Sequence, residues 1–195
     1  FSAGLSAGGM KPFCNIYSSF SQRAYDQIVH DLALQHLPVT LCLDRAGLVG
    51  EDGATHHGML DMSALRCVPN VIISSPKDEA ELRNLMYTAY LNQRDPFIIR
   101  YPRGTGEGVP WKDADFTCLP VGKAQTLLEG SHVAVLGIGP VVGRAMEAAS
   151  MYPGKVGVYN FRFLKPLDEE LLSRIAASYR YVITAEDGYL KGGLF

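Results

Sequence analysis

"PVTLCLDRAGLVGEDGATHHG", residues 38 to 58, joins two unlike pieces. Residues 38–44 are apolar and β-branched and read as a strand. From Asp44 to Gly58 the chain carries an arginine, three acidic groups, two adjacent histidines and four glycines in fifteen residues. That segment has the period of neither a helix nor a strand. A polar loop of this length inside a compact domain is either functional or disordered. In open α/β sheets, ligands bind outside the carboxyl ends of the strands. In a sheet of that kind, a strand that empties into such a loop would carry it to the ligand side.

The neighbouring residues follow the same rhythm. Residues 13–18, "FCNIYS", read as a buried strand. Phe20, Ala24, Ile28 and Leu32 recur every four residues and predict one helix over 20–36. "NVIISS" (70–75) is a further strand. Residues 75–92 predict a helix with Ser75 as its N-cap and Leu82, Leu85, Met86 and Ala89 on one face. "PFIIRYPRG" (96–104) is a strand closed by proline and glycine. Residues 105–122 lapse into Gly, Pro and Asp and read as a linker. A second alternating block follows: "HVAVLGIG", a helix over 140–151, "KVGVYNF", a helix from Asp168, and "RYVITAED". The expected architecture is two three-layer α/β units with mostly parallel sheets.

Composition narrows the class. A hydrophobic fraction of 47% suits a globular chain, and a net charge of -2 gives no general reason to bind nucleic acid or anionic membrane. No apolar run reaches the roughly 18–20 residues that span a bilayer. Cys14, Cys42, Cys67 and Cys118 form no CxxC pair and read as reduced, mostly buried thiols of a cytoplasmic protein. The chain opens on "FSAGLSAGG" without Met and stops at "GGLF", which reads as a piece of something longer.

Four features invite chemistry. "LGIGPVVGRA" lies at a strand-to-helix turn, but Gly137, Gly139 and Gly143 are spaced GxGxxxG. The next strand ends "VYNF" without an acidic residue, so a packing turn is a better reading than a nicotinamide site. His56 and His57 lack any metal-motif spacing, and neighbours in extended backbone point opposite ways. The readings left are loop histidines, or one histidine acting as a proton donor or polar clamp beside Asp52 and Arg45. Arg45 and Arg103 each follow a strand end, where planar guanidinium forks suit a phosphate. Arg100, inside an apolar strand, suits a structural ion pair. Phe20, after another strand end, is either core or an aromatic platform.

"IYSSFSQRAYDQIVHDLALQHLPV", "DRAGLVGEDGATHHGMLDMSALRCVPN", "RYPRG" and "FLKPLDEELL" together closely resemble the 1-deoxy-D-xylulose-5-phosphate synthases. These are transketolase-like thiamine diphosphate enzymes, which join pyruvate to D-glyceraldehyde 3-phosphate with loss of CO2 in non-mevalonate isoprenoid synthesis. The resemblance runs over essentially the whole chain. It implies a partial pyrimidine-binding domain over 1–104, a linker over 105–122 and a partial C-terminal domain over 123–195. It also implies that Arg45 and Arg103 hold the aldehyde's phosphate with Tyr17 assisting, and that Asp52 lies near the substrate hydroxyls. His56 would be the catalytic proton donor or oxyanion stabiliser. Phe20 would stack on the aminopyrimidine, with Arg23 supporting that pocket.

The family's Mg2+-diphosphate motif, GDG…N, is absent from these 195 residues. Its glutamate facing the aminopyrimidine is expected a few residues before Phe1. The resemblance further implies a cytoplasmic homodimer and an isolated fragment without activity. The rival readings are another transketolase-family enzyme, a nicotinamide oxidoreductase and a non-catalytic α/β assembly module.

Overall fold

The computed structural model describes all 195 residues, which form two sheets. The first contains β1 (Phe13–Tyr17), β2 (Thr40–Ala46), β3 (Ile72–Ser74), β4 (Phe97–Pro102) and β8 (Phe163–Lys165) in the order β1-β2-β4-β3-β8. Its first four strands run parallel, and β8 pairs antiparallel with β3. The second contains β5 (Gln125–Leu128), β6 (Val133–Gly137), β7 (Val156–Asn160) and β9 (Tyr181–Ala185) in the order β5-β7-β6-β9. There β6, β7 and β9 are parallel and β5 is an antiparallel edge.

The central strands read as apolar runs because both faces are covered. Phe97, Ile98 and Ile99 are all at most 1% exposed. Ile73 and Ile98 of the first sheet share a buried cluster with Leu136 and Phe161 of the second half. At roughly 1.5–3 kcal/mol for each fully buried apolar side chain, this seam ties the two halves together.

Two strands escape the sequence pattern. Both β5 and β8 are short, and β8 leaves the second half of the chain to extend the first sheet. Such an exchange follows from packing and carries no local signal.

The helix expected over 20–36 is broken. Positions four apart drift by about 40° per repeat on a regular helix, so Phe20 and Leu32 stand at opposite margins of the apolar stripe. The chain instead forms α2 (Ser18–Ser21), a 3-10 turn (Gln22–Ala24), α3 (Tyr25–Gln27) and a π-helical stretch (Ile28–Ala33). Ile28 and Leu32 are buried, while Phe20 is 48% exposed and is not core.

A short helix, α1 (Ser2–Ala7), precedes β1, and α4 (Asp61–Arg66) follows the polar loop. The next, α5 (Glu79–Leu91), starts later than expected. Pro76 disfavours helical backbone at Ser75, whose amide is taken by Arg162 O at 2.9 Å. Asp78 is the cap instead and accepts from Glu81 N at 2.8 Å. On the expected apolar face Leu85 and Ala89 are buried, but Met86 is exposed. In the second half, α6 (Val141–Ser150) and α7 (Glu169–Ser178) match their sequence patterns, and Asp168 caps α7.

Residues 105–122 contain no helix or strand, yet they do not hang free. Glu79 accepts from the amides of Glu107 and Gly108 at 3.1 and 2.7 Å, and Thr88 Oγ accepts from Leu119 N at 2.8 Å. The segment is strapped along α5. All four cysteines are free thiols, but only Cys42 is buried, with Cys67 and Cys118 exposed. The expectation of mostly buried thiols fails because three of the four lie on partly or fully solvated segments. Burial pushes the Cys42 thiol up to about 11, which keeps it protonated near neutral pH.

Candidate active site

Three strand ends converge at one edge of the first sheet. Tyr17 closes β1, Arg45 lies near the end of β2, and Arg103 directly follows β4. The β2–β4 pairing shifts register between Leu43 and Ala46, and Arg45 takes a left-handed backbone with φ of 57°. Bulges of this kind re-aim side chains beside sites. Here the bulge turns the arginine towards Tyr17 and Asp52, with its guanidinium carbon 5.0 Å from the Tyr17 ring centre.

The polar loop is closed by a glycine pair. Gly47 N donates to Gly58 O at 3.1 Å, and Gly58 N donates to Gly47 O at 2.8 Å. A Cβ on Gly58 would lie 2.4 Å from Ser18 Oγ and 2.8 Å from Arg45 O, so a larger residue would force the latch open. Gly47 is equally closed, by Asp187 of the second half. Within the loop, His57 Nδ1 accepts from Val49 N at 3.1 Å and so braces it from inside.

His56, on the neighbouring 3-10 turn, faces the other way. Its ring packs edge-on against Tyr17 and Phe20, with centroids 5.5 and 5.3 Å apart. Tyr17 and Phe20 are themselves 4.8 Å apart. Nδ1 of His56 lies 2.9 Å from Thr55 Oγ1. The three rings form an aromatic face on which Phe20 remains half exposed, as a platform for a flat ring requires. Such a face suits stacking against a flat aromatic ring.

Asp52 holds the polar side of the cluster. It accepts from Tyr17 Oη at 2.7 Å and faces Arg45 Nε at 3.5 Å and Arg103 Nε at 3.4 Å. The Tyr17 hydroxyl lowers the Asp52 carboxyl from its ordinary range, helped by Arg103, Arg45 and His56 against some desolvation. Desolvation and the bond to Asp52 raise the Tyr17 phenol in turn. The face is open, with the Arg45 and Arg103 side chains 39% and 42% exposed.

The structure therefore brings together Tyr17, Phe20, Arg45, Asp52, His56 and Arg103. Arg23 stays outside: it lies exposed on the 3-10 turn after Phe20, without a hydrogen bond or ion pair. No three His, Cys, Asp or Glu side chains converge as metal ligands would.

Beneath this face lies a network that the sequence only half announced. Arg100, 1% exposed, donates to Asp61 at 3.0 Å and to Asp187 at 2.7 Å. Asp61 also accepts from Ser18 Oγ at 2.9 Å and from Met62 N at 2.7 Å. A charge inside an apolar strand announces a buried partner. Nothing local says that the partners are α4 and a loop 87 residues further along.

Comparison with known proteins agrees with this geometry. Residues 1–107 match the transketolase pyrimidine binding domain, and residues 122–195 match the transketolase C-terminal domain. Over its whole length the chain is 54% identical to a 1-deoxy-D-xylulose-5-phosphate synthase of Bacteroides thetaiotaomicron and 56% identical to one of Bacteroides fragilis. It is 50% identical over 99% of its length to that of Aquifex aeolicus. It spans about 30% of the length of these relatives. A solved structure described as "Split gene transketolase, inactive beta4 tetramer" superposes with a TM-score of 0.87 at 31% identity, covering 99% of this chain and 63% of that one. With the parallel sheets, the aromatic face and both matched domains on one chain, the protein belongs to the transketolase family.

Proposed function

We propose that this chain is part of a thiamine diphosphate-dependent synthase that condenses pyruvate with D-glyceraldehyde 3-phosphate to 1-deoxy-D-xylulose 5-phosphate and CO2. The observation that carries this reading is the convergence of Arg45, Arg103 and Tyr17 at one point beside the Phe20–His56 face. Identities of 50–56% to proteins named for that activity support it.

When bound, thiamine diphosphate supplies the carbanion chemistry that releases CO2 and joins the two carbon skeletons. In our reading the chain's own residues orient and stabilise. Phe20 stacks on the aminopyrimidine, and Arg23, exposed away from the cluster, takes no part in that pocket. Arg45 and Arg103 clamp the phosphate with charge-assisted hydrogen bonds, Tyr17 assisting. His56, at the junction of the two, donates a proton to the reacting carbonyl or stabilises its developing charge. Asp52 serves the substrate hydroxyls.

Mg2+ and the diphosphate are assigned to residues outside this chain, which we expect to be inactive alone and to work within a cytoplasmic homodimer. We divide it into partial domains over 1–104 and 123–195 with a connecting segment over 105–122.

The test uses the full-length enzyme. Hydrogen bonds to charged groups contribute about 1.5–3 kcal/mol each, so Arg45→Ala and Arg103→Ala should each lower kcat/KM for the aldehyde phosphate roughly 10- to 150-fold. Pyruvate binding should change little, and the two effects should be non-additive because they act on one group. D-Glyceraldehyde, without a phosphate, should be used poorly by the wild type and no worse by either variant. Equal losses on both aldehydes would make the arginines structural and defeat the clamp.

A further inference from the structure

Asp52 stands where a clamped phosphate should stand. Both guanidinium groups and the Tyr17 hydroxyl are aimed at this one carboxylate, yet only Tyr17, at 2.7 Å, is close. The arginine distances of 3.4 and 3.5 Å exceed the 2.7–2.9 Å of a good charge-assisted bond, and the buried Arg45 Nε has no hydrogen-bond partner. The arginines are thus held towards a shared acceptor that does not fill their bonding capacity.

Charge sharpens the point. Arg45 also donates to Asp44 at 2.5 Å, and Arg103 faces the 92% exposed, solvent-screened Glu51 at 3.7 Å, so two cations already meet two close carboxylates. With Asp52 in place the arginine charges are already neutralised, so the seat offers a dianion little net attraction. A phosphate can enter only as the carboxylate leaves. The turn that carries Asp52 is lightly held, by Asp52 N to Val49 O at 3.3 Å and Gly53 N to Gly50 O at 3.0 Å.

We propose that the Asp52 carboxylate is a built-in competitor for the phosphate seat, which a ligand occupies by displacing it, and that this restricts the seat to dianionic phosphates. The inference rests on reading Arg45 and Arg103 as a phosphate clamp. A neutral or singly charged group offers the three donors no more than Asp52 already supplies, so the exchange gains nothing. A phosphate monoester brings about -1.5 to -2 charges and three acceptor oxygens, one for each donor. The displaced carboxylate is then free to accept from a substrate hydroxyl, so one movement couples phosphate recognition to substrate orientation.

Calorimetric titration of the full-length enzyme with inorganic phosphate and with acetate tests this. Asp52→Asn, which keeps the shape and removes the charge, should bind phosphate about 3- to 10-fold tighter, the scale of two partly exposed ion pairs. Its preference for phosphate over acetate should shrink. Asp52→Ala should move the same way, so that no hydrogen bond particular to asparagine decides the result. In the wild type, phosphate should speed amide hydrogen exchange at residues 50–53.

Phosphate affinity unchanged or weaker in both variants would overturn the proposal. So would tighter binding with no change in exchange, which would mean simple repulsion from a carboxylate that stays put. Arg45→Ala and Arg103→Ala separate the two layers of the argument. If neither weakens phosphate binding, the clamp fails and the competitor with it. If both weaken it while the Asp52 variants bind no tighter, the competitor alone fails.

Discussion

Arg100 and Arg103 lie three residues apart at the end of one strand, yet they belong to different worlds. Arg100 is buried and paired with two carboxylates, Asp61 and Asp187. Arg103 is 42% exposed and meets its nearest carboxylates only at 3.4 and 3.7 Å. The loop histidines repeat the contrast. His57 turns inward to the Val49 amide, while His56 turns outward to the aromatic face. Inward-paired groups hold the loop in shape, and outward groups with incomplete partners are free to meet a ligand.

The histidine pair offers the largest way to break this comparison. His56→Ala in the full-length enzyme should lower kcat about 10²–10⁴-fold, the range for a positioned acid–base group. His57→Ala should be much milder, since it removes a brace on the loop and no reacting group. Steady-state kinetics that gave equal losses, or the reverse order, would remove the distinction.

The arginine pair should part in stability. Arg100→Leu leaves Asp61, 1% exposed at its side chain, without its countercharge, and should lower the unfolding free energy by about 3–5 kcal/mol. Arg103→Leu should cost less than about 1 kcal/mol, as exposed ion pairs do. Urea unfolding midpoints of the two variants decide it, and similar shifts would place both arginines in one structural network.

The smallest effect sharpens the comparison from outside the site. Asp168 is buried and inward-paired, but it serves a helix end in the second half. Burial works to raise its carboxyl, yet the Leu171 and Ala124 amides and Lys123 outweigh it and leave the group below 3.8. A lowered folded value means that its charge stabilises the fold above 3.8 and that this contribution is lost as pH falls through the folded value. Asp168→Ala should cost about 1 kcal/mol near neutral pH, as a lost helix cap does. Chemical unfolding followed against pH should show the gap from wild type closing in acid. A gap that persists there would mean that packing, not the charged cap, holds α7.

The sequence alone determined the alternation of strands and helices, the parallel class and the loop at the end of β2. These are local signals: an apolar run flanked by polar turns reads the same wherever it is folded. The placing of Arg45 and Arg103 beside a ligand site was also legible, because loops after parallel strands face the ligand side of a sheet, but which of His56 and His57 faces it was not. Naming the particular phosphate, the cofactor and the reaction depended on family resemblance, since a clamp of two arginines suits any phosphate.

Only the tertiary structure decided what depends on distant partners. It made the helix expected over 20–36 a succession of α, 3-10 and π turns, with Ile28 and Leu32 buried and Phe20 left half exposed. It carried β8 across to the first sheet and joined Arg100 to Asp187, 87 residues away. It set Asp52 between two arginines that lie 58 positions apart in the chain. Hydrophobic period is written residue by residue, whereas a buried charge finds its counterion only once the chain has closed around it.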